Sequence, residues 1–254
     1  MVRLFDFVGR EKKETSMYGW RARIGEVFPS RGDTFMYEFY QIVPKGVVLV
    51  SHIIGLHNLT KDEFAAAYLK YKDGARDLAK VGVDLIALSG APLFQLKGFG
   101  SDLEMIRELE KETGIPTITS TTADIEAMHV LNMKKLAIVS PYVDEVNERN
   151  VSWYRQAGFD VLNIKGLGIQ KNSDIARLPF YAPYQLAREA FLETPGVDGI
   201  FIDCARWATI DVIEKLEQDF GVPVVSSNQA MIWFALRKAN VRESIPGYGK
   251  LLRG

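Results

Sequence analysis

Short apolar runs alternate with longer amphipathic stretches from about residue 22 onward, as in a parallel β-sheet covered by helices on both faces. The apolar runs predict strands at roughly 22–28, 47–53, 83–89, 115–119, 135–140, 160–165, 198–203 and 222–226. Helical spacing of apolar residues predicts helices at about 60–79, 102–111, 122–131, 143–156, 183–192, 209–219 and 228–238. The last residues, about 15 in number and including Pro246-Gly-Tyr-Gly, are predicted to form an irregular tail.

One strand-and-turn segment occurs twice. Val83-Asp-Leu-Ile-Ala-Leu-Ser-Gly is matched by Val197-Asp-Gly-Ile-Phe-Ile-Asp-Cys, so that Gly90 and Cys204 hold the same place in the two copies. Cys204 is the only cysteine of the 254-residue chain. If the copies face each other across a cleft, one contributes a thiol and the other contributes no side chain.

Two further segments are repeated in the same order, the second more weakly: Gly114-Ile-Pro-Thr-Ile-Thr-Ser with Gly221-Val-Pro-Val-Val-Ser-Ser, and Ile24-Gly-Glu-Val-Phe-Pro-Ser with Leu136-Ala-Ile-Val-Ser-Pro-Tyr. Three matched segments in one order indicate a duplicated α/β unit. We therefore predict an α/β protein of two pseudo-symmetric lobes, each a short, mainly parallel sheet flanked by helices. The first lobe comprises residues 18–131 and 232–254, and the second comprises residues 132–231 with Cys204.

The repeat also predicts where a ligand binds. Ligands of open parallel sheets lie at the carboxyl ends of the strands. The equivalent strand ends here are Pro29-Ser30, Gly90-Ala91-Pro92, Pro141-Tyr142 and Cys204-Ala205. We expect these four loops to surround a cleft between the lobes. A thiol in that position acts as nucleophile, proton donor or proton acceptor, although a lone cysteine is also a common packing residue.

Composition narrows the functional classes. The 31 basic and 32 acidic side chains nearly cancel, so no overall field attracts nucleic acid or an anionic membrane. No apolar stretch approaches the roughly 20 residues that span a bilayer, and the N-terminal residues lack the order of a signal peptide. A single cysteine cannot form an internal disulfide. We expect a cytoplasmic protein, a monomer or small homo-oligomer, that acts on a small molecule.

No metal or organic cofactor is predicted. The three histidines, His52, His57 and His129, lack the spacing of a metal site. His52 and His57 flank a strand end and could activate the thiol, which leaves a cysteine–histidine hydrolase open as an interpretation. His129 is expected on a helix surface.

The segments around the predicted cleft resemble those of the aspartate/glutamate racemase superfamily, and within it the branch of arylmalonate decarboxylases and maleate cis-trans isomerases. The resemblance extends from about Ile24 to Leu252. The matching segments are Ile24-Gly-Glu-Val-Phe-Pro-Ser, Leu88-Ser-Gly-Ala-Pro-Leu-Phe-Gln-Leu-Lys-Gly, Pro141-Tyr-Val-Asp-Glu-Val-Asn-Glu-Arg, Asp203-Cys204 with Thr209, Gly221-Val-Pro-Val-Val-Ser-Ser, and Pro246-Gly-Tyr-Gly-Lys-Leu.

The resemblance implies a reaction that needs one thiol. Racemases of the superfamily use two facing cysteines, whereas the decarboxylases carry glycine at the position that Gly90 holds here. Loss of CO2 from a substituted malonate itself generates the carbanion, so one acid is sufficient. The expected function is cofactor-independent decarboxylation of an arylmalonate-type diacid, in which Cys204 protonates an enediolate from one face. Gly90→Cys is then expected to add racemising activity toward the product acid.

The resemblance also implies the roles of residues around the thiol. Donors to the enediolate oxygens would be the Tyr142 hydroxyl, the backbone N–H groups of Cys204, Ala205 and Ala91, and the Ser30 hydroxyl, with Gly90 beside them. An apolar pocket would favour loss of the other carboxylate as neutral CO2. The residues that match this pocket are Leu56, Leu59, Phe64 and Ile175.

Some residues depart from the decarboxylase pattern. Ala91-Pro92 replaces two hydroxyl residues, and Ala205-Arg206 replaces a Gly-Gly turn. Pro29, Pro92, Arg31 and Arg206 are further candidate contacts. The arginines suggest a substrate with an extra carboxylate, held bidentately. Alternatively, Arg206 faces solvent or caps a helix.

Two other functions remain open at this stage. One is a maleate-type cis-trans isomerase in which Cys204 is a transient nucleophile. The other is a non-catalytic protein whose lobes close on a small mono- or dicarboxylic acid.

Overall fold

A computed structural model of the chain describes residues 18–56 and 61–254, without the side chains at 61, 62, 64 and 65. Its strands are β1 (Ala22–Phe28), β2 (Val47–Ile53), β3 (Leu85–Leu88), β4 (Thr117–Thr119), β5 (Lys135–Ser140), β6 (Asp160–Gly166), β7 (Gly199–Ile202) and β8 (Val224–Ser226). Its helices are α1 (Asp33–Ile42), α2 (Lys61–Lys80), α3 (Ala91–Lys97), α4 (Ser101–Thr113), α5 (Ser120–Val130), α6 (Asp144–Gln156), α7 (Asn172–Ile175), α8 (Ala182–Leu192), α9 (Ile210–Phe220), α10 (Ser227–Lys238) and α11 (Lys250–Arg253).

The strands form two four-stranded parallel sheets of the same topology, with orders β2-β1-β3-β4 and β6-β5-β7-β8. All pairings are parallel, as the apolar runs and intervening helices predict. The predicted two-lobed α/β fold is therefore confirmed. The exact lobe boundaries, with residues 232–254 returning to the first lobe, remain a prediction.

The repeated Val-Asp pair ties each lobe's third strand to its first. Asp84 accepts a hydrogen bond from the backbone N–H of Arg23 at 2.8 Å. In the second lobe, Asp198 accepts hydrogen bonds from the N–H groups of Lys134 and Lys135, both at 2.8 Å. Each aspartate thus satisfies backbone donors where the neighbouring strand begins.

The second repeat builds two matching helix starts. Thr119 caps α5 by accepting a hydrogen bond from Thr122 N at 3.1 Å, and Ser226 caps α10 in the same way from Gln229 N at 3.3 Å. In both capping boxes the third helical residue reaches back to the cap. Because α5 and α10 pack against each other, the duplicated segments also form a joint between the two halves.

Helix α1 has no counterpart among the helices predicted from the sequence. Its aromatic content disfavours a helix, since Phe and Tyr have modest helix propensity. Nevertheless its buried residues Phe35, Phe39 and Ile42 recur at helical spacing. Glu38, on the same face, accepts hydrogen bonds from the N–H groups of Thr209 and Ile210 at the start of α9, so α1 joins the two lobes.

The irregular C-terminal tail is also corrected by the structure. Residues 250–253 form α11, and Leu251 and Leu252 are buried in the core. The Tyr248 hydroxyl donates to the carbonyl of Gln41 at 2.9 Å. Burial of the two leucines thus fixes a segment whose glycines and proline suggest a loop.

No helix in the described residues is long and apolar enough to cross a bilayer.

Candidate active site

A cleft lies at the carboxyl ends of β1, β3, β5 and β7, where the two lobes meet. Its volume is about 60 Å³, which suits a small ligand. The lining residues are Phe28, Pro29, Ser30, Gly32, Leu56, Ser89, Gly90, Ala91, Pro92, Leu93, Ser120, Tyr142, Asn172, Asp203, Cys204, Ala205, Arg206 and Ser227.

Cys204 lies at the end of β7, with only 3% of its surface exposed. Its sulfur accepts a hydrogen bond from the backbone N–H of Arg206 at 3.3 Å. Burial raises the pKa of the Cys204 thiol to about 12, although hydrogen bonds from Tyr142 and Arg206 N act in the opposite direction. At neutral pH the cleft therefore contains a protonated thiol.

The carboxyl group of Asp203 lies beside this thiol. It accepts hydrogen bonds from Asn150 Nδ2 at 2.6 Å and from Ser227 Oγ at 3.1 Å. Burial raises the pKa of Asp203 to about 6, despite these two donors. Asp203 is therefore largely ionised at neutral pH, and its negative charge further disfavours a Cys204 thiolate.

Gly90 lines the same cleft from the first lobe. Its φ of +106° lies in the region that favours glycine. A Cβ atom at this position would lie 2.8 Å from the Tyr71 hydroxyl and 3.0 Å from Pro29 Cγ. Tyr71 is fully buried and donates to the carbonyl oxygen of Ser89. The space for a second cysteine is thus occupied.

A buried carboxyl group lies behind Gly90. Glu26, in the middle of β1, is completely buried, and its Oε1 is hydrogen-bonded to the Ser89 hydroxyl. Its other oxygen has no hydrogen-bond partner within the described residues. Burial raises the pKa of Glu26 to about 8, which the hydrogen bond from Ser89 only partly offsets.

The structure brings together most of the predicted site residues: Pro29, Ser30, Leu56, Gly90, Ala91, Pro92, Tyr142, Cys204, Ala205 and Arg206 all line the cleft. Leu59 lies outside the described residues, and so does the side chain of Phe64.

Two predicted contacts, Arg31 and Ile175, are not among the residues that line the described cleft. Arg31 is exposed. The side chain of Ile175 packs in the second-lobe core with Tyr142 and Cys204.

Arg206 is neither solvent-facing nor a helix cap. Its side chain is 12% exposed, and its guanidinium forms an ion pair with Asp33 at the start of α1. Its carbonyl oxygen accepts a hydrogen bond from Thr34 Oγ1 at 3.2 Å. Arg206 therefore links the loop of the thiol to α1 while lining the cleft.

The structure does not support activation of the thiol by histidine. His52 Nδ1 lies 3.2 Å from Asp77 Oδ2, and His129 stacks on Phe159. Neither lines the cleft, and His57 lies outside the described residues. The described chain likewise contains no group of three or more residues suited to hold a metal ion.

The cleft contains polar residues that were not predicted: Ser89, Ser120, Asn172 and Ser227. The repeat could have indicated two of them. Ser120 and Ser227 are the last residues of the duplicated segments, and each directly follows the N-cap residue of its helix. Ser120 Oγ is buried without a hydrogen-bond partner in the described part of the chain, whereas Ser227 donates to Asp203. No sequence pattern indicated Asn172.

Comparison with known proteins agrees with this geometry. The family model of arylmalonate decarboxylase matches residues 25–252. The chain belongs to the arylmalonate decarboxylase family. Within it, the chain is 31% identical to the arylmalonate decarboxylase of Bordetella bronchiseptica over 199 residues, which cover 78% of this chain and 83% of that protein.

An isomerase is also among the relatives. The chain is 28% identical to a maleate isomerase of Pseudomonas putida over 246 residues, covering 91% of this chain and 97% of that protein. The family relationship therefore establishes an enzyme family with decarboxylase and isomerase members.

A crystal structure of a liganded arylmalonate decarboxylase mutant matches the fold with a TM-score of 0.85 and 27% identity, covering 91% of this chain and 98% of that chain. That mutant carries cysteine in place of a glycine and serine in place of a cysteine. The two positions are separated by the same number of residues as Gly90 and Cys204.

The buried carboxyl groups give the stability of this protein an unusual pH dependence. Glu26 and Asp203 have pKa values of about 8 and about 6 in the folded state, raised from ordinary values of 4.5 and 3.8. Folding therefore takes up protons. The stability that the folded state gains by holding these protons is complete at low pH and is lost as the pH rises through the folded-state pKa values of the two carboxyl groups.

We expect the free energy of unfolding to fall by at least about 2 kcal/mol between pH 5 and pH 8, as urea denaturation at several pH values would measure. Glu26→Gln should flatten the slope. Exposed ion pairs such as Lys165–Glu189 act oppositely, but only near and below pH 4.5, where that glutamate titrates. Stability that rises across the same window would contradict the assigned charge states.

Proposed function

We propose that this protein is a cofactor-independent decarboxylase of a substituted malonate, with Cys204 as the single proton donor. The observation that carries this proposal is a buried thiol, Cys204, on one side of the cleft and a glycine, Gly90, on the other. A two-base racemase requires two thiols, and a nucleophilic cysteine requires a thiolate. A proton donor requires only the protonated form of Cys204.

In the proposed reaction, the bond between the central carbon and one carboxylate breaks, and its electron pair remains on the substrate as an enediolate. CO2 leaves. Cys204 Sγ–H then transfers its proton to the central carbon, and the resulting thiolate regains a proton from water. The high thiol pKa matches this role, because an enediolate carbon is itself strongly basic.

Hydrogen-bond donors around the cleft support the enediolate step. The N–H groups of Ala91 and Ala205 form no hydrogen bond within the described residues, although both residues line the cleft. The Tyr142 hydroxyl lies against the Cys204 sulfur. Preorganised donors of this kind stabilise developing oxyanions by several kcal/mol, on the order of 3 per donor. Leu56 contributes an apolar wall for the departing carboxylate.

The direct test is turnover of methylphenylmalonate by metal-free protein in D2O. We expect release of one CO2 and a monocarboxylic acid with one deuterium at the central carbon, in a single configuration, because one face carries the acid. Gas detection and chiral chromatography with mass spectrometry measure both. Racemic product would contradict one-sided protonation, and absence of CO2 would contradict decarboxylation.

The maleate isomerase relative supports a second candidate, in which Cys204 adds transiently to maleate. The same assay distinguishes it, because maleate would become fumarate without loss of CO2, and an adduct would appear on Cys204. Binding of both acids without conversion of either would favour a non-catalytic acid-binding protein.

A further inference from the structure

The first-lobe side of the cleft carries a polar pair that the reaction proposed above does not use. Ser89 is the residue directly before Gly90, lines the cleft and is 2% exposed. Its hydroxyl is hydrogen-bonded to Glu26, and that carboxyl group forms no ion pair within the described residues. The arrangement is absent from the second lobe, where Ile138 occupies the place equivalent to Glu26.

The surroundings of Glu26 favour its neutral form. The residues opposite it on the neighbouring strands are Ser51 and Ala87, which carry no charge. From α2, the titratable group near it is the Tyr71 hydroxyl, whose own pKa burial and Glu26 both raise. Two other buried carboxyl groups, Asp203 of the cleft and Asp124, interact with each other instead.

The charge of Glu26 decides what Ser89 can offer a ligand. A serine hydroxyl has one proton and two lone pairs. If Glu26 is ionised, the Ser89 proton points at the carboxylate, and only lone pairs remain for the cleft. If Glu26 is protonated, its own O–H donates to Ser89 Oγ, and the serine proton is free to bind an anion.

We propose that Glu26 is a positioning residue that holds a proton and thereby directs the Ser89 hydroxyl as a donor to a carboxylate of the bound diacid. The inference rests on the proposed function for the presence of a diacid in the cleft. Ser89 would thus supply a hydroxyl on the side where Ala91 and Pro92 have none. Ser120, whose buried hydroxyl also lines this side without a partner in the described chain, lies where it could share the same carboxylate.

Binding of malonate, the unsubstituted diacid, tests the inference by isothermal titration calorimetry at pH 7 and pH 9. Because the pKa of Glu26 is about 8, the affinity should fall about tenfold between these pH values. Titration at pH 9 in two buffers of different ionisation enthalpy should show uptake of close to one proton per malonate bound.

Glu26→Gln separates this role from a merely structural one. The glutamine amide is neutral at every pH and can donate to Ser89 Oγ, so the variant should bind malonate equally at pH 7 and pH 9 without proton uptake. Ser89→Ala should bind about tenfold more weakly at pH 7 and lose the pH dependence. Glu217→Gln is the matched control, since this buried carboxyl group accepts hydrogen bonds from Val224 N and Lys250 N away from the cleft and should leave the dependence intact.

The inference would be overturned if the unmodified protein bound malonate equally at both pH values or did not bind it at either. It would also be overturned by a Glu26→Gln variant that retains the tenfold loss. These outcomes are independent of turnover, because CO2 release with pH-independent malonate binding would leave the proposed decarboxylation standing. Conversely, proton-linked malonate binding without any CO2 release would support the Glu26 role and count against the decarboxylase.

Discussion

Cys204→Ala is expected to lower kcat/KM for decarboxylation by about 10³-fold, within the range that loss of a general acid costs. The reason is that the thiol is the only side chain proposed to deliver a proton to the central carbon. The alanine variant should still bind malonate, since the donors at Ala91 and Ala205 are backbone groups. Steady-state CO2 release and malonate titration would measure the two effects separately.

A matched control comes from another small buried side chain. Ser101 is 6% exposed and donates to the carbonyl of Phe94 at 3.0 Å, away from the cleft lining. Ser101→Ala removes one heavy atom, as Cys204→Ala does, and should leave kcat/KM within about twofold while costing about 1 kcal/mol of stability. Unchanged CO2 release by a folded Cys204→Ala variant would remove the thiol from the mechanism.

The two lobes share one sheet topology and differ at key positions of the cleft. The backbone features that build them are shared, as the aspartates after Val83 and Val197 and the paired capping boxes show. Some cleft residues are shared, such as Ser120 and Ser227, but Gly90 and Ser89 of the first lobe correspond to Cys204 and Asp203 of the second. This asymmetry is what a reaction with one-sided protonation requires.

Helix α1 connects the loops of the two lobes. It begins just after Ser30 and Gly32 of the first-lobe cleft, and its Asp33 pairs with Arg206 of the second. Glu38 then accepts hydrogen bonds at the N-terminus of α9, which adds an interaction of its carboxyl group with the helix dipole. The position of Cys204 relative to Ser30 is therefore fixed by α1 as well as by the sheets.

Sequence reasoning located the strands and the loops of the site because both depend on local patterns. The apolar runs predicted all eight described strands to within two residues at either end, and the repeat paired Gly90 with Cys204. It missed α1, whose helical spacing is hidden by aromatic residues. The role of Glu26 was also missed, because a single charged residue in an apolar run does not indicate which hydroxyl group it will contact.

Contacts between segments that are far apart in the sequence could not be predicted either, because local patterns do not indicate them. The ion pair of Arg206 with Asp33 joins residues of different lobes, and only packing of α1 brings them together. Likewise, Ile175, which the resemblance assigns to the substrate pocket, packs in the second-lobe core with Tyr142 and Cys204. Long-range geometry, rather than residue type, decides these cases.

Gly90→Cys is expected to destabilise the fold by about 2–5 kcal/mol, beside the racemising activity that the resemblance implies. A positive φ costs a non-glycine residue roughly 1–2 kcal/mol, and overpacking costs about 1–3 more. The overpacking follows from the 2.8 Å between the new Cβ and the Tyr71 hydroxyl and the 3.1 Å to Leu93 Cδ1. Urea denaturation measures the loss.

Gly98→Cys separates the two costs. Gly98 also has a positive φ, +112° with a ψ of +156° against +106° and +69° at Gly90, but no atom lies within 4 Å of a Cβ built there. Its substitution should therefore show the cost of a positive φ without overpacking. Tyr71→Phe removes the hydroxyl that meets the new side chain, so Gly90→Cys with Tyr71→Phe should recover at least about 1 kcal/mol relative to the sum of the single changes. Equal stability of Gly90→Cys and Gly98→Cys would contradict the steric role of Tyr71.

Gly90→Cys and Tyr71→Phe are also expected to control the stereochemistry of proton exchange in the product acid. With Tyr71 unchanged, the thiol at position 90 is displaced from the cleft, and the product acid should show little exchange of its α-hydrogen in D2O. With Tyr71→Phe, cysteines line the cleft from opposite lobes, and exchange with racemisation should appear, because the thiolate form of one cysteine can remove a proton while the protonated thiol of the other returns one. Chiral chromatography of the deuterated acid distinguishes these outcomes. Tyr71 would then be the residue that keeps this cleft one-sided.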